Sequence, residues 1–152
     1  MTDVIFRRAQ LADLPAIIAL LADDILGQQR EVYNATLHQN YVEAFQAIDT
    51  DPNQLLVVAE SEKTIVGTLQ LSFIPGLGRK GAWRGQIEAV RIASACRGRG
   101  WGGHMINWAI EQCKARNCHF VQLTTDNVRT DAHRFYEKLG FLASHKGYKL
   151  SL

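Results

Sequence analysis

The sequence predicts a mixed, mostly antiparallel α/β sheet with helices on both faces. Two segments rich in Val, Leu and Ile, residues 55–59 and 65–73, flank a short polar turn, which is typical of an antiparallel hairpin. Residues 86–125 follow a strand, helix, strand pattern, which indicates a right-handed parallel crossover. Two helical segments precede the hairpin, so helices are available to cover the sheet.

The first half of the chain has two helices after a short strand. Residues 4–8 are predicted to form the strand, and residues 14–26 form a helix with Asp13 as its N-cap and Pro15 in its first turn. A second helix over residues 36–48 ends ahead of Pro52, because proline cannot continue a helix.

The hairpin and the segments after it complete the predicted sheet. Residues 61–63 form the hairpin turn, and the glycine-containing residues 74–83 are interpreted as a flexible loop. The later elements are a strand at 86–92, a helix from about 103 to 116, a strand at 120–125, a helix at 131–139 ended by Gly140, and edge strands at 142–144 and 148–150.

Composition limits the function classes. The 152 residues, 47% of them hydrophobic, suffice for one core, so we expect a single domain over residues 1–152. A formal net charge of +2 is too small to imply nucleic-acid or membrane partners through bulk charge. Any anion site must therefore be local.

Cysteine and histidine usage predicts a reduced protein without metal. Cys96, Cys113 and Cys118 form neither a disulfide framework nor a zinc pattern, and the five histidines lack ligand spacing. The first residues have no apolar leader segment, and no stretch is apolar for long enough to cross a bilayer. We expect a cytoplasmic protein.

The segment with the strongest chemical signal, residues 97–103, joins the 86–92 strand to the next helix. Its backbone amides and the helix N-terminus favour an anion such as a phosphate, and two arginines add charge. A tight turn without ligand is one alternative, and Gly98-x-Gly100-x-x-Gly103 with Asp126 also matches a dinucleotide fingerprint. Too little chain follows Asp126 for a doubly wound sheet, and no Gly-Lys-Ser/Thr indicates a P-loop. The segment consists of Arg97, Gly98, Arg99, Gly100, Trp101, Gly102 and Gly103.

Two motifs together resemble the GNAT superfamily of N-acetyltransferases. Arg97-x-x-Gly100-x-Gly102 is similar to the pyrophosphate loop of that family, and residues 132–141, AHRFYEKLGF, are similar to its A-x-x-F-Y-E-K-L-G-F signature. Residues 87–92 resemble its bulged fourth strand. The resemblance implies an acyl-CoA N-acyltransferase fold and an acetyl-CoA-dependent enzyme that acetylates a primary amine by direct attack on the thioester.

The resemblance also implies the coenzyme contacts. Backbone amides of residues 97–103 would hold the pyrophosphate of acetyl-CoA, and Val90, Arg91 and Ile92 would line the pantetheine arm by main chain. The sequence departs from the family pattern at Arg129, where an asparagine is common, and Asn127 is a candidate to replace that contact.

Acetyl transfer needs a base, an N–H donor for the oxyanion and an acid for the departing thiolate. Tyr136 is the candidate acid, because its position resembles that of the family's tyrosine and a phenol stays protonated at neutral pH. Glu88 is the candidate base, since in an unbulged strand it would lie on the same side as Val90 and Ile92; a solvent-facing role is the alternative. The oxyanion donor would be a main-chain N–H near Val90 or Arg91.

Residues 131–136, DAHRFY, and residues 144–145, SH, resemble the aminoalkylphosphonate N-acetyltransferase branch of the family. This resemblance implies that the acceptor is a small amine with an anionic group. Trp83, Arg84 and Arg129 are the candidate substrate-binding residues, with Lys80 beside them. The alternative function is a non-catalytic acyl-CoA-responsive regulator or a nucleic-acid-binding module that uses the same basic residues. A homodimer is expected from what is common in the family, with slight support from the aromatic residues Tyr33, Tyr41 and Trp108.

Overall fold

Five strands form one sheet in which neighbours follow chain order; the fourth and fifth strands are parallel and the other neighbours are antiparallel. The structure is a computed structural model that describes residues 3–31 and 38–152. The strands are β1 (Ile5–Arg8), β2 (Gln54–Ser61), β3 (Thr64–Ile74), β4 (Arg84–Ile92) and β5 (Phe120–Leu123). The predicted mixed α/β sheet is confirmed.

The helices lie between these strands along the chain. They are α1 (Leu14–Ala22), α2 (Ile25–Arg30), α3 (Gln39–Thr50), α4 (Gly78–Gly81), α5 (Trp101–Ala115) and α6 (Thr130–Lys138). Helix α5 connects β4 to β5, as the predicted crossover requires. No helix among the described residues is both long and apolar enough to span a bilayer.

The two faces of the sheet are covered by different helices. On one face, Val58 of β2 packs in a buried cluster with Leu14 and Ile18 of α1 and Phe45 of α3. On the other face, Trp108 of α5 lies against Phe6 of β1, with 6.0 Å between ring centroids. Helices therefore cover both faces, as expected.

The prediction of one helix over residues 14–26 is wrong in one respect, because the helix is interrupted between α1 and α2. The carboxylate of Asp24 caps α2 by accepting from the backbone amide of Gly27 at 2.5 Å, which starts a new helix inside the apolar stripe. Asp13 precedes α1 as predicted, but its carboxylate accepts from the amide of Gln10 and from Arg7 instead of capping α1. The start of the second predicted helix, residues 36–37, lies outside the described residues.

Two other predictions are corrected. Residues 74–83 are not wholly irregular: they include the short turn α4, in which Arg79 (φ 54°) and Lys80 (φ 62°) adopt left-handed backbone conformations, so that it is not a regular α-helix. The predicted edge strands at 142–144 and 148–150 are absent from the described chain. The amide of Ser144 donates to the carbonyl of Leu142 at 2.9 Å, and this tight turn is incompatible with an extended strand.

The described residues divide into two compact units, the first ending at Gln122 and the second beginning at Leu123. The second unit contains α6 and the C-terminal segment. That all 152 residues act as one domain stays a prediction.

The aromatic residues named for a dimer are less exposed than expected. Tyr41 packs against the cluster around Val58 and donates to Glu31 at 2.6 Å, and Trp108 is half-buried against Phe6. Tyr33 lies outside the described residues. These side chains give a dimer interface no support.

Candidate active site

Strand β4 carries a bulge where the resemblance predicts one. Gln70 of β3 pairs with Glu88, whereas Thr68 pairs with Arg91, so two residues of β4 stand opposite Leu69 alone. The bulged residue Ala89 has a φ of 53°, in the left-handed region. The bulge breaks the simple alternation that would place Glu88 on the same side as Val90 and Ile92, so that argument for Glu88 is wrong.

Strand β5 lies beside only the first part of β4. The amide of His119 donates to the carbonyl of Trp83 at 2.8 Å, and Gln122 donates to the side chain of Gln86 at 2.6 Å. Because β5 ends at Leu123, the bulged part of β4 beyond Gln86 has β3 on one side and no described strand on the other. Its main-chain groups can therefore pair with an extended ligand.

The glycine-rich turn after β4 forms an open cradle of amides. Gly98 (φ 79°) and Gly100 (φ 80°) have left-handed backbones, and a Cβ added to either would meet no atom within 4 Å. Helix α5 begins at Trp101, and its N-cap Gly100 has no side-chain acceptor to offer the first amides. Among the described residues, the amide of Arg97 donates to the carbonyl of Ser94 at 3.4 Å, and the next amide along the chain to donate is that of His104, to the carbonyl of Gly100 at 3.1 Å.

This cradle fits a pyrophosphate. The donors are neutral backbone amides at the positive end of a 15-residue helix, the combination that binds phosphate oxygens. Trp101 does not obstruct it, because its side chain is 8% exposed and buried in the protein. Arg99 lies over the Trp101 ring at 5.3 Å.

The loop that carries the cradle is fastened to the end of α1. The amide of Ser94 donates to the carboxylate of Asp23 at 3.1 Å, and Arg97 donates to the carbonyls of Ile92 (3.2 Å) and Asp23 (3.5 Å). Arg91 is ion-paired with Asp24 at 3.5 Å. The Arg97 side chain thus holds the loop in place.

Glu88 is exposed on the face of the sheet that also carries Val58, and a polar row lies beside it. Gln54 accepts from Ser72 at 2.7 Å and from Gln70 at 3.2 Å, and Gln70 lies directly opposite Glu88. The polar row consists of Gln54, Gln70, Ser72, Gln86 and Gln122. The sequence analysis missed it; glutamines at alternate positions of apolar strands are the signal that could have found it.

The candidate acceptor residues of the first unit lie at the start of β4. Trp83 and Arg84 are half-buried, and Arg84 alternates with Gln86 and Glu88 on one face of the strand. Arg79 lies 4.8 Å above the Phe120 ring. Arg84, Gln86 and Glu88 are therefore aligned along one strand.

The remaining candidates belong to the second unit. Tyr136 of α6 is half-buried and makes edge contacts with Phe135 (5.1 Å) and Phe141 (5.9 Å). Arg129 is the N-cap residue of α6, and Asn127 is exposed in the turn before it. Aromatic packing therefore fixes the Tyr136 ring within this unit.

Cys113 and Cys118 are poorly suited to act as nucleophiles. Burial raises the pKa of the Cys113 thiol to about 12, and burial also raises the pKa of Cys118. A thiol with a raised pKa is a weak nucleophile at neutral pH. Within residues 3–31 and 38–152, no three His, Cys, Asp or Glu side chains are grouped to hold a metal ion.

Comparison with known proteins places this architecture among described relatives. The chain is 27% identical over 139 residues to aminoalkylphosphonate N-acetyltransferase from Salmonella typhimurium strain LT2. The aligned region covers 91% of this chain and 85% of that protein. The structure matches a putative acetyltransferase from Agrobacterium tumefaciens strain C58 with a TM-score of 0.85 and 28% identity, over 97% of this chain and 99% of that one. It also matches a transcriptional regulator from Bacillus halodurans C-125 with a TM-score of 0.96 and 49% identity, over 99% of this chain and 100% of that one.

The family assignment rests on sequence and structure together. The family model for the acetyltransferase (GNAT) family matches residues 19–141, which include the bulged strand, the glycine-rich turn and Tyr136. The Salmonella relative, which aligns with 91% of this chain, is an N-acetyltransferase by name. The chain therefore belongs to the GNAT acetyltransferase family and is an N-acetyltransferase.

Proposed function

We propose that the protein transfers the acetyl group of acetyl-CoA to the primary amine of a small molecule that carries an anionic group. The observation that carries the proposal is the bulged strand β4, which continues past the end of β5 and leads into an open amide cradle at the N-terminus of α5. This arrangement offers an extended ligand a strand edge and a phosphate site in succession.

In this proposal each group has one role. Acetyl-CoA supplies the acetyl thioester. The amides of residues 98–103 bind its pyrophosphate, and the main chain at Val90 and Ile92 pairs with its pantetheine arm. A main-chain amide near Val90 or Arg91 stabilises the negative charge that develops on the acetyl oxygen.

Two side chains would move protons. Glu88 removes a proton from the acceptor ammonium, directly or through a water molecule, so that the neutral amine can attack the thioester carbonyl. Tyr136 donates its phenolic proton to the departing thiolate. The amine nitrogen forms the C–N bond and the C–S bond breaks. The second proton that the nitrogen gives up replaces the one donated by Tyr136, so the products are the acetylated amine and the coenzyme A thiol.

The anionic group of the acceptor is supported by the positive residues near the start of β4 and by the name of the Salmonella relative, aminoalkylphosphonate N-acetyltransferase. Arg84 and Arg129 are the candidate partners for the anion, because a guanidinium can bind a phosphonate or carboxylate with two hydrogen bonds, and Lys80 is a further candidate. Trp83 would line the acceptor pocket.

Coenzyme binding tests the proposal directly. Coenzyme A should raise the unfolding temperature of the protein, because a ligand that binds only the folded state stabilises it. Gly100→Ala should weaken this binding at least tenfold by filling the cradle and straining a positive φ. Gly81→Ala is the matched control, because Gly81 also has a positive φ (75°) and lies outside the turn. No binding at millimolar coenzyme A would refute the proposal.

A second candidate function is favoured by the Bacillus halodurans match, which is described as a transcriptional regulator. In that case the protein would sense acyl-CoA or bind nucleic acid through its basic residues without turnover. Salt-dependent DNA binding that coenzyme A leaves unchanged, together with no acetylation of any amine tested, would favour this function.

We further propose a cytoplasmic homodimer. All three cysteines are free thiols, which suits a reducing compartment, and dimers are common in the family. Light scattering at micromolar concentration should give about twice the mass of one chain, and the mass of a single chain would contradict the dimer.

A further inference from the structure

Three side chains with different charges alternate along one face of β4. Arg84, Gln86 and Glu88 are two residues apart from each other and precede the bulge, so they point to the same side. The residues between them face the other way: Ile87 is 1% exposed, and a Cβ on Gly85 would lie 2.2 Å from the sulfur of Cys113 in α5. A cation, an amide and a carboxylate thus follow one another in a line.

The middle of this line continues across the sheet as the polar row. Gln86 accepts from Gln122 at 2.6 Å and lies directly opposite Ser72, which in turn lies opposite Gln54. The bond from Gln122 occupies the side-chain oxygen of Gln86 and leaves its NH₂ group able to donate to a ligand. The row is uncharged, so it can bind a polar ligand without attracting either end of it.

Arg84 differs from the arginines that the fold uses for support. Arg7 is paired with Asp13 and Glu60, Arg8 with Asp49 and Arg91 with Asp24. The Nε of Arg84 is buried, and within residues 3–31 and 38–152 it has no hydrogen-bond partner. The guanidinium of Arg84 therefore keeps its charge for an anionic ligand.

We propose that the side chains of β4 select acceptors by their length, that is, by the distance between the anionic group and the amine. Arg84 binds its anionic group, Gln86 binds its middle, and Glu88 receives its ammonium group; this proposal rests on the proposed acetyltransferase function. At about 3.3 Å per residue, the Cα atoms of Arg84 and Glu88 are roughly 13 Å apart. The preferred acceptors are therefore ω-amino anions in which several atoms separate the amine from a phosphonate, phosphate or carboxylate, and not compounds with both groups on one carbon.

A chain-length series tests the inference with the full-length protein. The acceptors are ω-aminoalkylphosphonates with one to five methylenes, and thiol release from acetyl-CoA is the readout. We expect kcat/KM to rise at least tenfold from the one-methylene acceptor to the best longer one. A flat series, or one that falls from the first member, would overturn the inference.

Variants of Arg84 test whether this residue determines the preference for acceptor length. Arg84→Gln should lower kcat/KM at least tenfold for the best acceptor, flatten the series and leave the KM for acetyl-CoA unchanged. Arg84→Lys, which keeps the charge, should retain part of the preference. Lys114→Gln is the matched control, because Lys114 is an exposed cation on α5, on the other face of the sheet. An Arg84→Gln protein that keeps the length preference would refute the role of Arg84.

The outcomes separate this inference from the proposed function. Acetylation of propylamine, which has no anionic group, together with a flat phosphonate series would leave the acetyltransferase function intact and refute the length measurement. If no amine is acetylated, both fail. If an Arg84 variant does not fold, the series with the unaltered protein still decides the question of length.

Discussion

The carboxylate of Asp23, at the end of α1, accepts a hydrogen bond from the backbone amide of Ser94, 3.1 Å away and 71 residues later in the chain. Arg97 donates to the carbonyl of the same aspartate at 3.5 Å. One residue between the first two helices therefore helps to shape the loop that presents the amide cradle.

Asp23→Ala is expected to raise the KM for acetyl-CoA about 2- to 10-fold with little change in kcat. The lost bond is worth about 0.5–1.5 kcal/mol, and the loop would be less ordered before binding. Steady-state kinetics measures the effect. Asp51→Ala is the control, because Asp51 also accepts from a backbone amide, that of Asn53, in the turn before β2. Equal KM values for the two variants would contradict the proposed tether.

Tyr136→Phe should lower kcat by about 10²-fold or more, in line with the loss of a general acid, and should change the Kd for acetyl-CoA less than threefold. The ring and its contacts with Phe135 and Phe141 remain. Single-turnover kinetics and calorimetry provide the two values. Tyr148→Phe, at an exposed position, is the control. Unchanged single-turnover rates would exclude Tyr136 as the acid.

Glu88→Gln should flatten the rise of kcat/KM with pH, because the amide cannot accept a proton from the acceptor. The measurement is the pH dependence of kcat/KM between pH 5 and pH 10. Glu111→Gln on α5 removes an exposed carboxylate elsewhere and should leave the profile unchanged. If Glu88→Gln gives the same profile as the unaltered protein, Glu88 is not the base.

Gly85→Ala should destabilise the fold by about 1–3 kcal/mol, the usual cost of overpacking. The new Cβ would lie 2.2 Å from the Cys113 sulfur, whereas after Cys113→Ala the nearest atom would be the Cβ at 3.3 Å. The double variant should therefore recover part of the loss in urea unfolding. Gly78→Ala, with no atom within 4 Å of its new Cβ, should be nearly neutral. A Gly85→Ala protein as stable as Gly78→Ala would contradict this packing.

Asp13 should make folding sensitive to acid. Its hydrogen bonds from Arg7 and from the amide of Gln10 hold its pKa below the ordinary value of 3.8. The lowered pKa means that Asp13 contributes stability above pH 3.8, and this contribution is lost as the pH falls through the folded-state pKa. Asp13→Asn should cost about 1–3 kcal/mol at neutral pH, and the difference should shrink below pH 4.

Urea unfolding at several pH values measures this difference. Asp49→Asn is the control, since Asp49 forms an exposed pair with Arg8 at 3.4 Å, and such pairs contribute about 1 kcal/mol or less. A loss for Asp13→Asn that stays constant down to pH 2 would contradict the argument.

Sequence periodicity predicted most of the fold because the apolar positions repeat faithfully. In α5, apolar residues at helical spacing are buried: Met105, Ile106, Ala109 and Cys113. The break between α1 and α2 escaped prediction because Asp24 caps a helix within a continuous apolar stripe. A polar cap of this kind acts through backbone geometry, which the spacing of apolar residues does not report.

The candidate site was harder to predict than the fold from single segments of the sequence. The glycines of the turn indicated an anion site because their chemistry is local. The polar row depends on which residues lie opposite each other in three strands, as Gln70 does to Glu88, and pairing is set by the sheet as a whole. For the same reason, only the folded chain shows that the Nε of Arg84 has no hydrogen-bond partner among the described residues.

The polar row also has a consequence for how the sheet assembles. Gln54, Ser72 and Gln86 lie opposite one another across β2, β3 and β4, and the next residues along, Leu55, Leu71 and Ile87, form an apolar line on the other face. If one strand were shifted by one residue against its neighbour, its amide side chains would point toward α5 and its apolar side chains toward the face that carries Glu88. Every such misalignment would bury unsatisfied amides. The polar row, which includes the Gln86 proposed to bind the acceptor, therefore also selects the correct strand alignment during folding.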